Sequence, residues 1–374
     1  MPLDASGPQV SGKLWMMRAT TLTSANQSQA EGRPTLKTIA LLAGLSVASV
    51  GRALKDAPDI GEETKRRVRE LALQVGYRPN RAGVRLRTGK TNVIALVRSV
   101  QEDMLNHTSE MINGIAASLR GTSYHMILMP YFLEEDPLTP IRYLVETGSA
   151  DGVIIHQTTP DDERVRYMLA RGFAFATHGR TELATPHPYF DFDNETFARL
   201  VLRRMAERGR RRLALLAPPM SHCYARHMHK GFSEEAARLG LAAQVLDGIT
   251  SDTPPLQVEA AARSLLARPD APDGIIVGSA TGSMAVVAGG ESLGLVLGRD
   301  FDVGTKDSVG FLRRFRSEML VVREDVRKAG EFLARAVMDA IDRRLPVDGC
   351  QFLDVPEAAD PGPATPLLPG CPEG

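Results

Sequence analysis

Cysteine is scarce. Cys223, Cys350 and Cys371 are odd in number and far apart, which excludes a disulfide framework and paired metal-ligand spacing and fits reduced thiols. Long apolar runs are missing as well. Nothing approaches the roughly eighteen apolar residues of a membrane span, so no membrane partner is expected. Leu14-Trp15-Met16-Met17 is the one apolar cluster near the start, and it is too short for the core of a secretory signal. The expectation is therefore a cytoplasmic protein. There is no Walker loop. The stretch Gly278 to Gly282 carries Ala280 where a nucleophile elbow requires serine. Asp and Glu are too common for spacing to single out a catalytic pair. The sequence points to no catalytic residue, no cofactor and no metal. A local cluster, Ser221 to His229, does hold four possible metal ligands within eight residues. No distant Cys/His pair completes a tetrahedral set, so polar lining of a cleft is the preferred reading.

Net charge is also lacking, with 45 basic against 45 acidic residues. That average conceals an asymmetry. Residues 33–90 hold thirteen Lys/Arg against five Asp/Glu, a basic head on an acidic remainder. The length of 374 residues fits two or three domains.

Residues 1–33 read as a disordered arm. From Thr35 the pattern becomes helical. Thr35 suits an N-cap, Ile39, Leu42 and Ala43 recur at helical spacing, and Gly44 suits a left-handed C-terminus. Ser46 caps a second helix, Val47 to Leu54, with Val50, Ala53 and Leu54 inward. The turn of Gly44-Leu45-Ser46 suits two helices crossing steeply, as in a helix-turn-helix. Pro58 and Gly61 break the chain. A third helix opens on Glu62 and Glu63, which favour a positive dipole end, buries Val68, Leu71, Ala72 and Val75, and stops at Gly76. Val47, Ala48, Ser49 and Arg52 open the second helix, where a helix-turn-helix meets base edges in the major groove. Arg52 fits either bidentate pairing with guanine or a phosphate contact. The run Lys65 to Arg69 reads equally as a solvated face. Arg78, Arg81, Arg85, Arg87 and Lys90 surround a proline and two glycines and fit a phosphate track.

The ordered motifs AGLSVASVGRAL, EETKRRV and GYRPNRAGVRLR resemble the headpiece of the LacI-type family of bacterial transcription regulators. The resemblance implies a headpiece over 34–78 and a hinge helix within 79–90. It implies DNA contacts from Thr35, Ser46, Val47, Ala48, Ser49, Arg52, Tyr77, Asn80, Arg81, Arg85, Leu86 and Arg87. Leu86 stands where the family wedges a leucine into the minor groove from paired hinge helices of a homodimer; such wedging kinks the duplex. Double-stranded operator DNA is the implied partner, pseudo-palindromic because the dimer is two-fold. Two departures stand out. Gly51 replaces a frequent serine, removing a phosphate contact. Gly83 weakens the hinge helix by about 1 kcal/mol relative to alanine.

From Thr91 short apolar strands alternate with helices: NVIALV, YHMILMPYF, GVIIH, FAFATH, FDFD, RLALLA, GIIVG, FDVG and QFLDV, with helical stretches between. This predicts parallel sheets covered on both faces, too many units for one sheet. The fold class is thus α/β with an all-α N-terminal headpiece, followed by two doubly wound parallel-sheet lobes. The stretch 91–356 resembles the family's effector core, itself like the periplasmic sugar-binding proteins. The resemblance implies a first lobe of about 91–189 and 320–344 and a second of about 190–319 and 345–356. Crossovers then fall near Phe190, Leu320 and Leu345. A small-molecule effector would sit between the lobes, outside the carboxyl ends of the strands. Residues 357–374, rich in Pro, Gly and Ala, read as a flexible tail without apolar heptads.

Strand ends supply the candidate effector contacts: Asp103, Asn106 and His107; Tyr131 and Phe132; His156 and Gln157; His178 and Arg180; then Phe190, Asp191, Asp193 and Asn194 at the first crossover. Planar hydrogen-bonding groups beside rings suit a sugar, although each residue alone is equally a satisfied loop polar group. In the second lobe Tyr224, His227, Met228, Ser279 and Asp307 are the candidates. Sugar-binding members often carry Arg three residues before a Gly-Phe pair, where Met228 stands here. They carry Asn-Asp after the GIIVG strand, where Ser279-Ala280 stands, while the expected Asp after FDVG is present as Asp307. The stretches RAGVRLRTGKTNVIALV and HPYFDFDN resemble regulators of α-glucoside uptake operons. Two readings follow: a ligand-responsive dimeric repressor of a sugar operon, or a sugar-binding transport or sensing protein. The headpiece and the missing export signal favour the first.

Overall fold

The computed structural model describes residues 34–78, 85, 88–100, 107–132 and 134–357. They form two compact units that part between Gly89 and Lys90.

The first unit is built by its caps. Thr35 and Thr38 make a reciprocal capping box at the start of α1 (Leu36–Ala43). Gly44 ends α1 at φ 63°, a conformation open to glycine at no steric cost. The Ser46 hydroxyl then accepts from the Ser49 N–H and starts α2 (Val47–Ala53). The chain turns through 99° between the two helices. The third helix, α3 (Glu62–Gln74), closes the unit, and Ile39, Ala40, Ala43, Val50, Ala53, Val68 and Ala72 form its core. Leu42, read as inward, is instead 49% exposed, and Ala40 takes its place. Helical phase decides this: the inward stripe of α1 runs through Ile39, Ala40 and Ala43. Three apolar side chains larger than alanine are fully buried, Ile39, Val50 and Val68, each worth roughly 1.5–3 kcal/mol, and seven partly buried ones pack against them. Charge pairs belong to its architecture. Lys65 is buried and its ammonium donates to Glu62 Oε1 at 2.6 Å. Arg66 pairs with Glu63, and Arg69 with Asp56.

The second unit contains two all-parallel sheets. The first runs β11-β5-β4-β3-β1-β2, from β1 (Val93–Ser99), β2 (His125–Tyr131), β3 (Gly152–His156), β4 (Ala174–His178), β5 (Tyr189–Phe192) and β11 (Gln351–Asp354). Strand alternation divides its core in two. Ile94, Leu96, Ile154 and Phe190 meet α4 (His107–Leu119) and α12 (Val326–Asp342) on one face. Ala95, Val97, Val153 and Ile155 meet α5 (Thr139–Thr147) and α6 (Glu163–Ala170) on the other. Helices α4 and α12 touch through Gly114 and Gly330, where an added Cβ would strike the opposing backbone carbonyls of Arg327 and Met111.

The second sheet runs β10-β9-β8-β6-β7, from β6 (Arg212–Leu216), β7 (Ala242–Val245), β8 (Gly274–Val277), β9 (Asp302–Asp307) and β10 (Leu320–Arg323). Helices α7 (Asn194–Glu207) and α8 (Cys223–Leu239) cover one face. Helices α9 (Pro255–Leu266) and α10 (Ala280–Glu291) cover the other. A short α11 spans Leu312–Phe315. No single described helix is long and apolar enough to cross a membrane.

Two lobe assignments need correction. The segment expected to return to the second lobe after Leu345 does not: β11 pairs with β5, Phe352 opposite Phe190. Aromatic packing explains this, since Phe190 stacks on Phe352 at 5.3 Å and both meet Phe332 of α12. Leu320–Arg323, assigned to the first lobe, pairs with β9 in the second sheet. The crossings therefore follow Phe192 and Arg323, and the described residues contain no third. Cys223 and Cys350 are free thiols, both buried; Cys371 lies outside the described residues.

Candidate functional site

On the first unit, Val47 and Ala48 are exposed at the start of α2, with Ser49 half-buried beside them. This is the helix end that Ser46 caps. Arg52 also lies on the exposed side, ion-paired with Asp59 in the following loop; reading a base requires it to leave that partner. Thr35 and Ser46 spend their hydroxyls on caps. Tyr77 is half-buried, its N–H bonded to the Ala72 carbonyl at 2.8 Å. Arg85 is exposed and helical, and its carbonyl accepts from Gly89. Asn80, Arg81, Leu86 and Arg87 lie outside the described residues.

In the second unit the carboxyl ends of both sheets face one cleft of about 480 Å³. The first lobe contributes Arg98 from β1, His107 from the start of α4, His156 and Gln157 after β3, His178 after β4, and Asp191 and Phe192 from β5. The second contributes Tyr224 from α8, Ser251 to Pro255 after β7, Ser279 to Thr281 at the start of α10, and Lys306 from β9. Asn194 and Glu324 come from the two crossings. These three meet: the Lys306 ammonium is 2.9 Å from the Glu324 carboxylate and donates to Asn194 Oδ1 at 3.0 Å. It also lies 5.2 Å from the centre of the Phe192 ring. A buried ion pair therefore joins one lobe's sheet to both connecting segments.

Electrostatics at the wall follow from burial. Burial holds His156 well below the usual histidine range, and the nearby Arg98 adds to the effect. His178 is lowered to about 3 by burial and by His107. Both are therefore neutral hydrogen-bonding rings at neutral pH. Burial raises Asp191 to about 7, although Arg180, at 3.3 Å, pulls the other way. Burial opposes the charge on Glu324, but Lys306 outweighs it and keeps the carboxyl below its ordinary range. Burial also drives the Tyr224 phenol upward. Two buried atoms lack a hydrogen-bond partner here, His156 Nε2 and Asp191 Oδ2.

Of the sequence candidates, His107, His156, Gln157, His178, Asp191, Asn194, Tyr224 and Ser279 line the cleft. Arg180 and His227 stand behind Asp191, His227 Nδ1 at 3.9 Å from its carboxylate. The others do not line it. Phe190 is core, and Met228 packs beneath α8. Phe132 is 58% exposed, outside the cleft. Tyr131 is buried near Arg164. Asp193 caps α7 through the Thr196 N–H. Asp307 follows Lys306 on β9, so strand alternation turns it away; it accepts instead from the Val309 and Leu312 N–H groups. Asp103 and Asn106 lie outside the described residues. Arg98, Asp252, Lys306 and Glu324 line the cleft although the sequence reading assigns them no contact. In the Ser221–His229 cluster, His222 stacks on Tyr224 at 5.5 Å. Cys223 is turned into the core, with its N–H on the Thr158 carbonyl of the other lobe at 2.9 Å. Among the described residues no three His, Cys, Asp or Glu side chains converge on a metal-sized site.

A helix-turn-helix unit followed in one chain by a hinged two-lobed cleft defines a class: DNA-binding regulators coupled to a ligand-binding core. Comparison with known proteins narrows this. Residues 35–80 match the family of bacterial regulatory proteins of lacI type. Residues 91–311 match the periplasmic binding proteins and sugar binding domain of that family. The chain belongs to the LacI family. It is 30% identical over 316 residues to the HTH-type transcriptional regulator AglR of Rhizobium meliloti (strain 1021), covering 82% of this chain and 87% of that one. Its fold resembles the Lac repressor dimer bound to operator and the anti-inducer ONPF, with TM-score 0.75, 18% identity, and 88% and 98% of the two chains covered. It also resembles a CelR–cellobiose complex, with TM-score 0.62, 22% identity, and 87% and 98% covered. The chain is thus a DNA-binding transcription regulator rather than an enzyme, and the transport reading falls away.

Proposed function

We propose that the protein is a cytoplasmic, dimeric, sugar-responsive repressor of a sugar uptake or catabolism operon, of the α-glucoside kind. The observation that carries this is the cleft: neutral imidazoles and a carboxamide on one wall, Tyr224 on the other, and a charged cluster tying both crossings together. Sugar hydroxyls want paired donors and acceptors, and their C–H faces want rings. In this reading His107, His156, Gln157, His178 and Asp191 hold the sugar from the first lobe, and Tyr224 and Ser279 from the second. Val47, Ala48 and Arg52 read the major groove, and Leu86 enters the minor groove of a pseudo-palindromic operator. The sugar changes DNA affinity only by its differential affinity for the two lobe arrangements. Because Lys306, Asn194 and Glu324 span both crossings, any such rearrangement works against their contacts.

The test is a gel shift of the full chain on its own upstream DNA, repeated with maltose, sucrose, trehalose and glucose. A shift altered by one of them is expected. A shift indifferent to all four sinks the sugar reading, and no shift at low salt on any duplex sinks the DNA assignment.

A further inference from the structure

We infer that the cleft admits an uncharged sugar and turns away phosphorylated or carboxylated ones. The inference rests on the sugar reading above and narrows it. Anion recognition in a buried site requires unspent positive charge or unspent backbone N–H groups. Lys306 and the starts of α7 and α10 have neither to spare. The described residues of the cleft wall include two cations, Arg98 and Lys306, against three carboxylates, Asp191, Asp252 and Glu324. Lys306 is already answered by Glu324 at 2.9 Å and Asn194 at 3.0 Å. Arg180, behind the wall, is paired with Asp191 at 3.3 Å. Arg98 Nε is bonded to the Ser99 carbonyl at 3.2 Å. An incoming phosphate therefore has to displace the Glu324 carboxylate before it reaches the Lys306 ammonium.

Two of the helix starts at the cleft, those of α7 and α10, are occupied as well. At α10 the Ser279 hydroxyl accepts from the Gly282 N–H at 3.0 Å and donates to the Ser251 carbonyl at 2.7 Å. At α7 the Asp193 carboxylate itself sits on the first turn, 3.0 Å from the Thr196 nitrogen. A second anion there is repelled. What the wall leaves open is neutral. His156 Nε2 is buried without a hydrogen-bond partner, a ring nitrogen suited to a hydroxyl. Its imidazole and that of His178 stay uncharged because burial disfavours the imidazolium.

The experiment is titration calorimetry on the full chain with maltose, trehalose and sucrose, then with phosphate esters of the same sugars and with a uronic acid. We expect at least one neutral sugar to bind at one site per chain, and its phosphate ester to bind about tenfold or more weakly. An ester or uronate that binds as tightly as the neutral sugar overturns the inference and leaves the sugar reading intact. Failure of every sugar, charged or neutral, overturns the sugar reading and the inference with it. Glu324→Gln sharpens the result. It releases the Lys306 charge, so the phosphate ester should gain affinity relative to the neutral sugar. A folded Glu324→Gln chain whose preference does not move would show that charge balance is not what excludes anions.

Discussion

The headpiece and the ligand core solve opposite problems with charge. Over 34–78 the charges lie mainly at the surface in short-range pairs, and the core beneath is three medium side chains among alanines. In the ligand core, sheets of Val, Ile and Leu are sealed on both faces, and polar groups are drawn inward to the cleft. Every histidine of the chain lies beyond residue 100 and none in the headpiece. The difference teaches where each unit keeps its sensitivity. The headpiece depends on a few caps and a small core, while the ligand core depends on the protonation and pairing of buried groups.

Phe190→Ala empties a fully buried site that stacks on Phe352 and Phe332, and should cost about 3–5 kcal/mol of core stability. Urea unfolding followed by far-UV circular dichroism should show the core transition moving to lower denaturant, with the headpiece transition unmoved. Equal movement of both would mean that the units unfold as one.

Acid should separate the units next. His178 is held at about 3 in the folded chain against an ordinary value near 6.5, so the unfolded chain binds more protons between those limits. Its contribution is fully present above about pH 6.5 and is lost as pH falls toward about 3. By pH 5 the core should lose roughly 1–2 kcal/mol from this ring, discounted because it borders the cleft. His156 adds in the same direction, while Asp191, raised to about 7, opposes both over this range. His178→Asn should flatten that pH dependence, and an unchanged slope in urea melts at pH 7.5 and 5 would remove His178 as the cause. The headpiece has no imidazole to titrate in this range.

The smallest effect sharpens the headpiece side. Ser46→Ala removes the cap of α2 and should cost about 1 kcal/mol. In a unit this small that is enough to weaken operator binding several-fold in a gel shift, while sugar binding by calorimetry stays unchanged.

Much of this was legible in the residues, and the gaps have a common origin. Caps such as Thr35 and Ser46, stops such as Gly44, and apolar runs such as GVIIH carry their structure locally. His156, Gln157 and His178 were found because they follow strands that declare themselves. Asp252 and Glu324 were missed because the strands before them do not. Ala242–Val245 is a short edge strand with two exposed residues, and Leu320–Arg323 offers four residues with no alternation to read. Met228 and Asp307 were placed in the cleft by family position. Helical and strand phase, visible only once the neighbours are in place, turns both away. The lobe of residues 351–354 was likewise hidden, since it is fixed by stacking between rings more than 150 positions apart in the chain.

That late strand also governs how the molecule is made. The headpiece is complete once residue 78 has left the ribosome, and every strand and covering helix of the second sheet lies between residues 194 and 323. Each can collapse during synthesis from a continuous stretch. The first sheet cannot. It waits for α12, wedged against α4, and for β11 on its open edge beside β5. A nascent chain stalled before residue 326 therefore carries the headpiece and the second lobe beside a first lobe with one apolar face covered by α4 alone. In that intermediate the apolar residues that α12 covers in the finished fold face water.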